Sequence, residues 1–166
     1  MSRDCIGHGG RLVRTARRRG ATMFEINLDE KHAIIEFVLE GVVREDEMEL
    51  FVHMLRQATL QLRGREIKIK ADLRALRPAS PTVADMIRGV QEFGIRSGVK
   101  RVAEIVESDV IALQLNRVAH ESGTDRILRR FWEEESARDW LIHGDRPSAR
   151  ASFQPPPPSA RRPRRT

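Results

Sequence analysis

EIKIKADLRALRPASPTVADMIRGVQEFGIRSGVKRVAEIV, residues 66–106, is the stretch whose reading decides the fold. Glu66–Leu73 sets Ile67 and Ile69 against Lys68 and Lys70, a period-two alternation that reads as a strand ending near Asp72. Ser80-Pro81-Thr82 then opens a helix: a hydroxyl can accept a backbone N–H there, proline suits the first turn, and Thr82 and Asp85 have capping-box spacing. Val83, Met86, Ile87 and Val90 recur at helical spacing, Ser97-Gly98 ends the helix, and Val99–Val106 returns to a strand. Strand, helix and strand in succession form a parallel crossover unit.

The flanks repeat the theme. Upstream, Met23–Leu28 and Ala33–Leu39 are short apolar runs around Asp29-Glu30-Lys31, which reads as a hairpin. After Gly41, Glu45–Leu62 places Met48, Phe51, Val52, Leu55, Ala58 and Leu62 on one helical face, with Glu45, Asp46 and Glu47 suited to the positive end of its dipole and Gly64 as the stop. Downstream, a helix capped by Ser108 turns Ile111, Leu115, Val118 and Ala119 inward and ends at Gly123; Arg126–Phe131 reads as a short edge strand. The last helix, Glu133–Ile142, is expected to bury Ala137, Trp140 and Leu141. The expected fold class is therefore α/β, with the order β-β-α-β-α-β-α-β-α and a mixed sheet whose later strands are parallel.

Charge divides the 166-residue chain into three parts. Residues 1–22 carry six Arg and one acid, residues 147–166 five Arg and no acid, and residues 23–146 hold 19 Lys and Arg against 23 Asp and Glu. The basic character thus belongs to the ends, and the middle, at −4, lacks the positive field of a nucleic-acid-binding domain. The expected organisation is a disordered Arg-rich tail over 1–22, one domain over 23–146, and a disordered Pro/Arg-rich tail over 147–166. One cysteine, Cys5, allows no intrachain disulfide, and no apolar run approaches the length of a membrane span; the expected compartment is the cytoplasm.

The ending Phe131…Ala137-x-x-Trp140-Leu141, joined to this element order and to the Glu40-Gly41 exit from the hairpin, resembles the STAS superfamily and, within it, the SpoIIAA-like group. The resemblance covers about residues 23–143. It implies a STAS/SpoIIAA-like fold and a regulatory or scaffolding module, as in bacterial anti-sigma factor antagonists, which dock to protein partners. Some such domains are switched by phosphorylation at the start of the second helix, a position that falls here on Ala79-Ser80-Pro81-Thr82, although no Asp precedes Ser80 and no Gly follows it. Other SpoIIAA-like proteins are suspected of binding lipids or other small apolar molecules.

Candidate residues follow from both readings. Ser80 and Thr82 are the candidate switch, with helix capping as the first explanation of their hydroxyls. Asp72, at a strand end where α/β proteins place their ligand crevice, and Trp132, which falls between elements, are candidate interface residues. Arg17, Arg18, Arg19, Arg161, Arg162, Arg164 and Arg165 are candidate anion contacts, able to bind nucleic acid without sequence preference and with steep salt dependence. His8, His32, His53, His120 and His143 have no metal-ligand spacing, Gly7-His8-Gly9-Gly10 lacks the rest of a phosphate loop, and no nucleophile stands with a base. The expectation is a non-enzymatic module without metal or cofactor, acting through a protein partner or a homo-oligomer; nucleic-acid binding by the tails and small-molecule or lipid binding by the domain are the alternatives.

Overall fold

The computed structural model describes residues 3–7, 11–18 and 21–145, with side chains from Phe24 onward. Its centre is a five-strand sheet. β3 (Ala21–Asp29) and β4 (Ile34–Leu39) form the expected antiparallel hairpin, and β5 (Ile67–Asp72), β6 (Val99–Ile105) and β7 (Leu128–Phe131) add in sequence order, each parallel to its neighbour. The crossovers are α1 (Glu45–Gln61), α2 (Pro81–Arg96) and α3 (Asp109–Ser122), and α4 (Glu134–His143) closes the fold.

One expectation is corrected at the N-terminus. Residues 1–22 read as a tail, yet Arg3–Gly7 (β1) and Arg11–Arg18 (β2) continue the sheet antiparallel beyond β3, with Leu12 opposite Leu28 and Thr15 opposite Glu25. The physical reason is that a strand added at an edge needs main-chain pairing more than a buried apolar face, so arginine density did not exclude it. Arg17 and Arg18 belong to β2, whereas Arg19, Arg161, Arg162, Arg164 and Arg165 lie outside the described residues.

Alternation along the strands makes two unequal layers. Phe24, Ile26 and Leu28 of β3, Ile35 and Leu39 of β4, and Val99 and Val102 of β6 meet Met48, Phe51 and Leu55 of α1, Val83 and Val90 of α2, and Ile111 and Leu115 of α3. Phe51 sits edge-on to Phe24 and Phe37, with ring centroids 5.4 and 4.9 Å away. On the other face Ile34, Ala103 and Ile105 receive the buried Ala137 and Leu141 of α4, with Phe131, Trp140 and Ile142 partly buried around them. There the strands also carry charge: Lys70 Nζ lies 2.5 Å from Glu134 and 3.4 Å from Glu36, and Arg138 bonds both Glu36 and Asp29. Burial opposes ionisation of Asp29, but hydrogen bonds from His32 and Arg138 outweigh it and hold the carboxyl at about 2. α4 is therefore docked by two fully buried apolar side chains, with partly buried neighbours and ion pairs around them.

Trp140 departs from the expected burial. It is half-buried at the margin of this layer, tilted on Phe131 at 5.7 Å, with Arg129 over its ring and its indole N–H donating to Asp145. The helix turns Ala137 and Leu141 fully inward, and residue 140 falls about 100° from Leu141 and about 60° from Ala137, toward the edge of that face.

Candidate functional site

Packing under α2 is loose. In its 16 residues only Val83, Val90 and Gly94 are buried. The sheet beneath is correspondingly half-covered: Phe37 on β4 and Ile69 on the central strand are only partly buried. Small residues line the space under α2 at its two ends, Ala71 on β5 and Gly94 on α2, where a Cβ would come within 3.3 Å of Val99. The result is an open-mouthed apolar cavity of about 70 Å³, walled chiefly by Ile69, Ile87, Val90, Val102, Leu115 and Ile127.

One wall residue is an acid. Glu104 follows the strand alternation: Ala103 and Ile105 point to α4, so the carboxylate of residue 104 points to the α2 side, where it is 3% exposed. Its register partner on β7 is Arg130, which approaches with Nε at 3.1 Å and Nη2 at 3.0 Å, both on Oε2. Arg130 also donates through Nη1 to Asn116 of α3. Burial pushes the Glu104 carboxyl above the usual glutamate range, against the pull of Arg130. Of the other polar wall groups, the side-chain oxygens of Gln91 and Thr124 lie 2.7 and 2.9 Å from the Ser122 hydroxyl.

The residues singled out from sequence lie apart from this cavity, along the rim formed by the C-terminal ends of the parallel strands. Ser80 is the N-cap of α2, its Oγ accepting from the Val83 N–H at 3.2 Å; Thr82 is exposed in the first turn. Gln114 of α3 clamps the preceding residue, accepting from the Ala79 N–H at 3.0 Å and donating to its carbonyl at 2.8 Å. Asp72 closes on Arg74, with contacts of 3.0 and 2.6 Å to the guanidinium and one to the backbone N–H, and that pairing holds its carboxyl below the usual range. Its chemistry is thus that of a turn brace. Trp132 is 72% exposed beside a depression that it shares with Ser108, Asp109 and Ala112, and Val110 and Leu113 on the first turns of α3 are also exposed.

Neither family models nor curated proteins match this sequence. Solved structures do resemble it. The crystal structure of an uncharacterized protein of the DUF3478 family from Shewanella loihica PV-4, described as having a SpoIIAA-like fold, aligns with a TM-score of 0.52 at 18% identity, over 79% of this chain and 93% of that one. The fold is SpoIIAA-like. The NMR structure of the protein TM1081 aligns similarly, with a TM-score of 0.51 at 16% identity, over 86% of this chain and 99% of the other. These likenesses carry architecture, and function must come from the sites.

On this SpoIIAA-like frame, Ser80 stands at the helix start that the resemblance singled out, and it is occupied as a cap. Among the described residues no group of three His, Cys, Asp or Glu side chains is placed to hold a metal, and no helix is long and apolar enough to cross a membrane. The sequence reading passed over Glu104 and Arg130. The signal was present in Val102-Ala103-Glu104-Ile105-Val106, where a single acid interrupts an apolar central strand, and a buried acid demands a partner.

Proposed function

We propose that this protein is a non-catalytic SpoIIAA-like binding module whose ligand is a small apolar molecule held between α2 and the sheet. The cavity under α2 carries the reading: a concave, apolar space with one embedded polar pair is the ordinary form of a small-molecule site. The half-buried α2, fixed at its start by the Ser80 cap and the Gln114 clamp, supplies a cover anchored at one end. Titration of the full chain with the neutral fluorophore N-phenyl-1-naphthylamine tests it. Wild type is expected to brighten the dye saturably, and Ala71→Leu, which fills the cavity floor, to lose that response while still melting cooperatively. A wild type that leaves the dye dark, or a folded Ala71→Leu variant that binds it undiminished, refutes the reading.

A second reading, regulation through protein contacts, is favoured by the exposed Trp132 beside the exposed Val110 and Leu113, because tryptophan is among the residues that carry most binding energy at interfaces. Size-exclusion chromatography with light scattering of wild type and Trp132→Ala examines its simplest form, self-association. A dimer lost in the variant supports that form, and a monomer at all concentrations excludes it.

A further inference from the structure

The cavity wall contains a charge pair to which the apolar reading gives no ligand contact. Glu104 is buried on the side of β6 facing α2, and both contacts from Arg130 fall on Oε2, so neither occupies Oε1. Arg130 in turn is held by Asn116, which fixes the guanidinium and with it the carboxylate. The side-chain oxygens of Gln91 and Thr124 face the Ser122 hydroxyl, whereas Oε1 of Glu104 takes no contact from Arg130. Its charge is already balanced by Arg130. A ligand carboxylate would set like charges together, and a ligand ammonium would bury a third, uncompensated charge, whereas a neutral donor disturbs neither.

We infer that the cavity selects a neutral amphiphile, an aliphatic or alicyclic chain ending in a hydroxyl, whose O–H donates to Oε1 of Glu104 while the hydrocarbon lies against Ile69, Val90 and Leu115. This rests on the apolar-ligand reading above and specifies its polar end. A hydroxyl given to a carboxylate in a dry site forms a charge-assisted bond, and an ether of the same size leaves that acceptor unpaired. The discrimination comes from the missing bond more than from shape, as in sites that reject substrate analogues lacking a hydroxyl.

The test is displacement of N-phenyl-1-naphthylamine from the full chain by two isomers, 1-octanol and heptyl methyl ether, with octanoate as a third competitor. In wild type, octanol should displace the dye at concentrations about tenfold or more below the ether, and octanoate should be the weakest. In the paired variant Glu104→Leu/Arg130→Leu, which removes both charges together, octanol and ether should become equivalent while the dye still binds. Equal displacement by the two isomers in wild type, or octanoate as the best competitor, overturns the inference and leaves the apolar cavity standing. A wild type that never binds the dye overturns the cavity reading itself. The wild-type comparison decides the matter even if the paired variant fails to fold.

Discussion

Leu141→Ala should be among the most damaging single substitutions in this protein, and the structure gives its size. The side chain is fully buried in the small cluster of Ile34, Ala103, Ile105 and Ala137, the apolar contact between α4 and the sheet. Truncation removes three carbons from an apolar site, a transfer loss of about 2.4 kcal/mol at roughly 0.8 kcal/mol per carbon. A cavity term of up to about 2 kcal/mol is added to the extent that the site cannot collapse. Collapse is resisted because Glu36, Lys70, Glu134 and Arg138 flank the cluster, and moving α4 inward would disturb those pairs. The expected cost is therefore about 3–4 kcal/mol, read as a shift in the urea midpoint at unchanged slope by far-ultraviolet circular dichroism. Trp140→Ala, by contrast, should cost about 1–2 kcal/mol, since its ring is half-buried and rests on Phe131 and Arg129 at the margin. If Trp140→Ala proves the costlier of the two, or Leu141→Ala costs under about 1 kcal/mol, then α4 is held by its tryptophan and this account of the layer is wrong.

Gly89→Ala, within α2 where an added Cβ meets nothing within 4 Å, should stabilise the protein by about 0.5–1 kcal/mol in the same assay. Ser80→Ala should cost about 0.5–2 kcal/mol and Ser80→Asp much less, because aspartate also caps; a kinase-dependent mass shift at Ser80 or Thr82 in cells would show that the cap doubles as a switch. Acid should weaken the fold through Asp29, whose carboxyl is held at about 2 in the folded chain against 3.8 ordinarily. A depressed acid stabilises above its unfolded value and loses that contribution as pH falls, so urea melts between pH 4 and 2 should show a loss on the order of 2 kcal/mol that is absent from Asp29→Asn. Trp132→Ala should change stability by less than about 0.5 kcal/mol, as expected for a ring left mostly in water.

Periodicity carried most of the architecture. The Ile67/Ile69 alternation, the Ser80 and Ser108 caps and the Gly123 stop each produced an element within a residue or two of its place, because each is a local rule obeyed locally. The failures have a common cause in side-chain environments that only the assembled sheet defines. β1 and β2 were missed because edge pairing draws on backbone groups that no side-chain pattern advertises. Trp140 was assigned to the core from its neighbours Ala137 and Leu141, but the helix is clasped by two residues and the indole lies beside them. The cavity was not legible at all: Phe37, Ile69 and Leu115 read as core whether or not α2 reaches them. Glu104 was legible as an anomaly, and its meaning required knowing which strand brings Arg130 opposite.

The placement of charge under α4 bears on how the chain is born. Each strand pairs with the one made before it, so the sheet can assemble while synthesis proceeds from the N-terminus. α1, α2 and α3 emerge in time to cover one side, but the other side waits for residues 134–143, the last helix among the described residues. During that wait it presents Glu36, Lys70 and Arg101 interspersed with Ile34, Ala103 and Ile105. An unfinished sheet with a wholly greasy back would invite other nascent chains; one studded with opposite charges stays hydrated until the last helix arrives and turns the same groups into its latch.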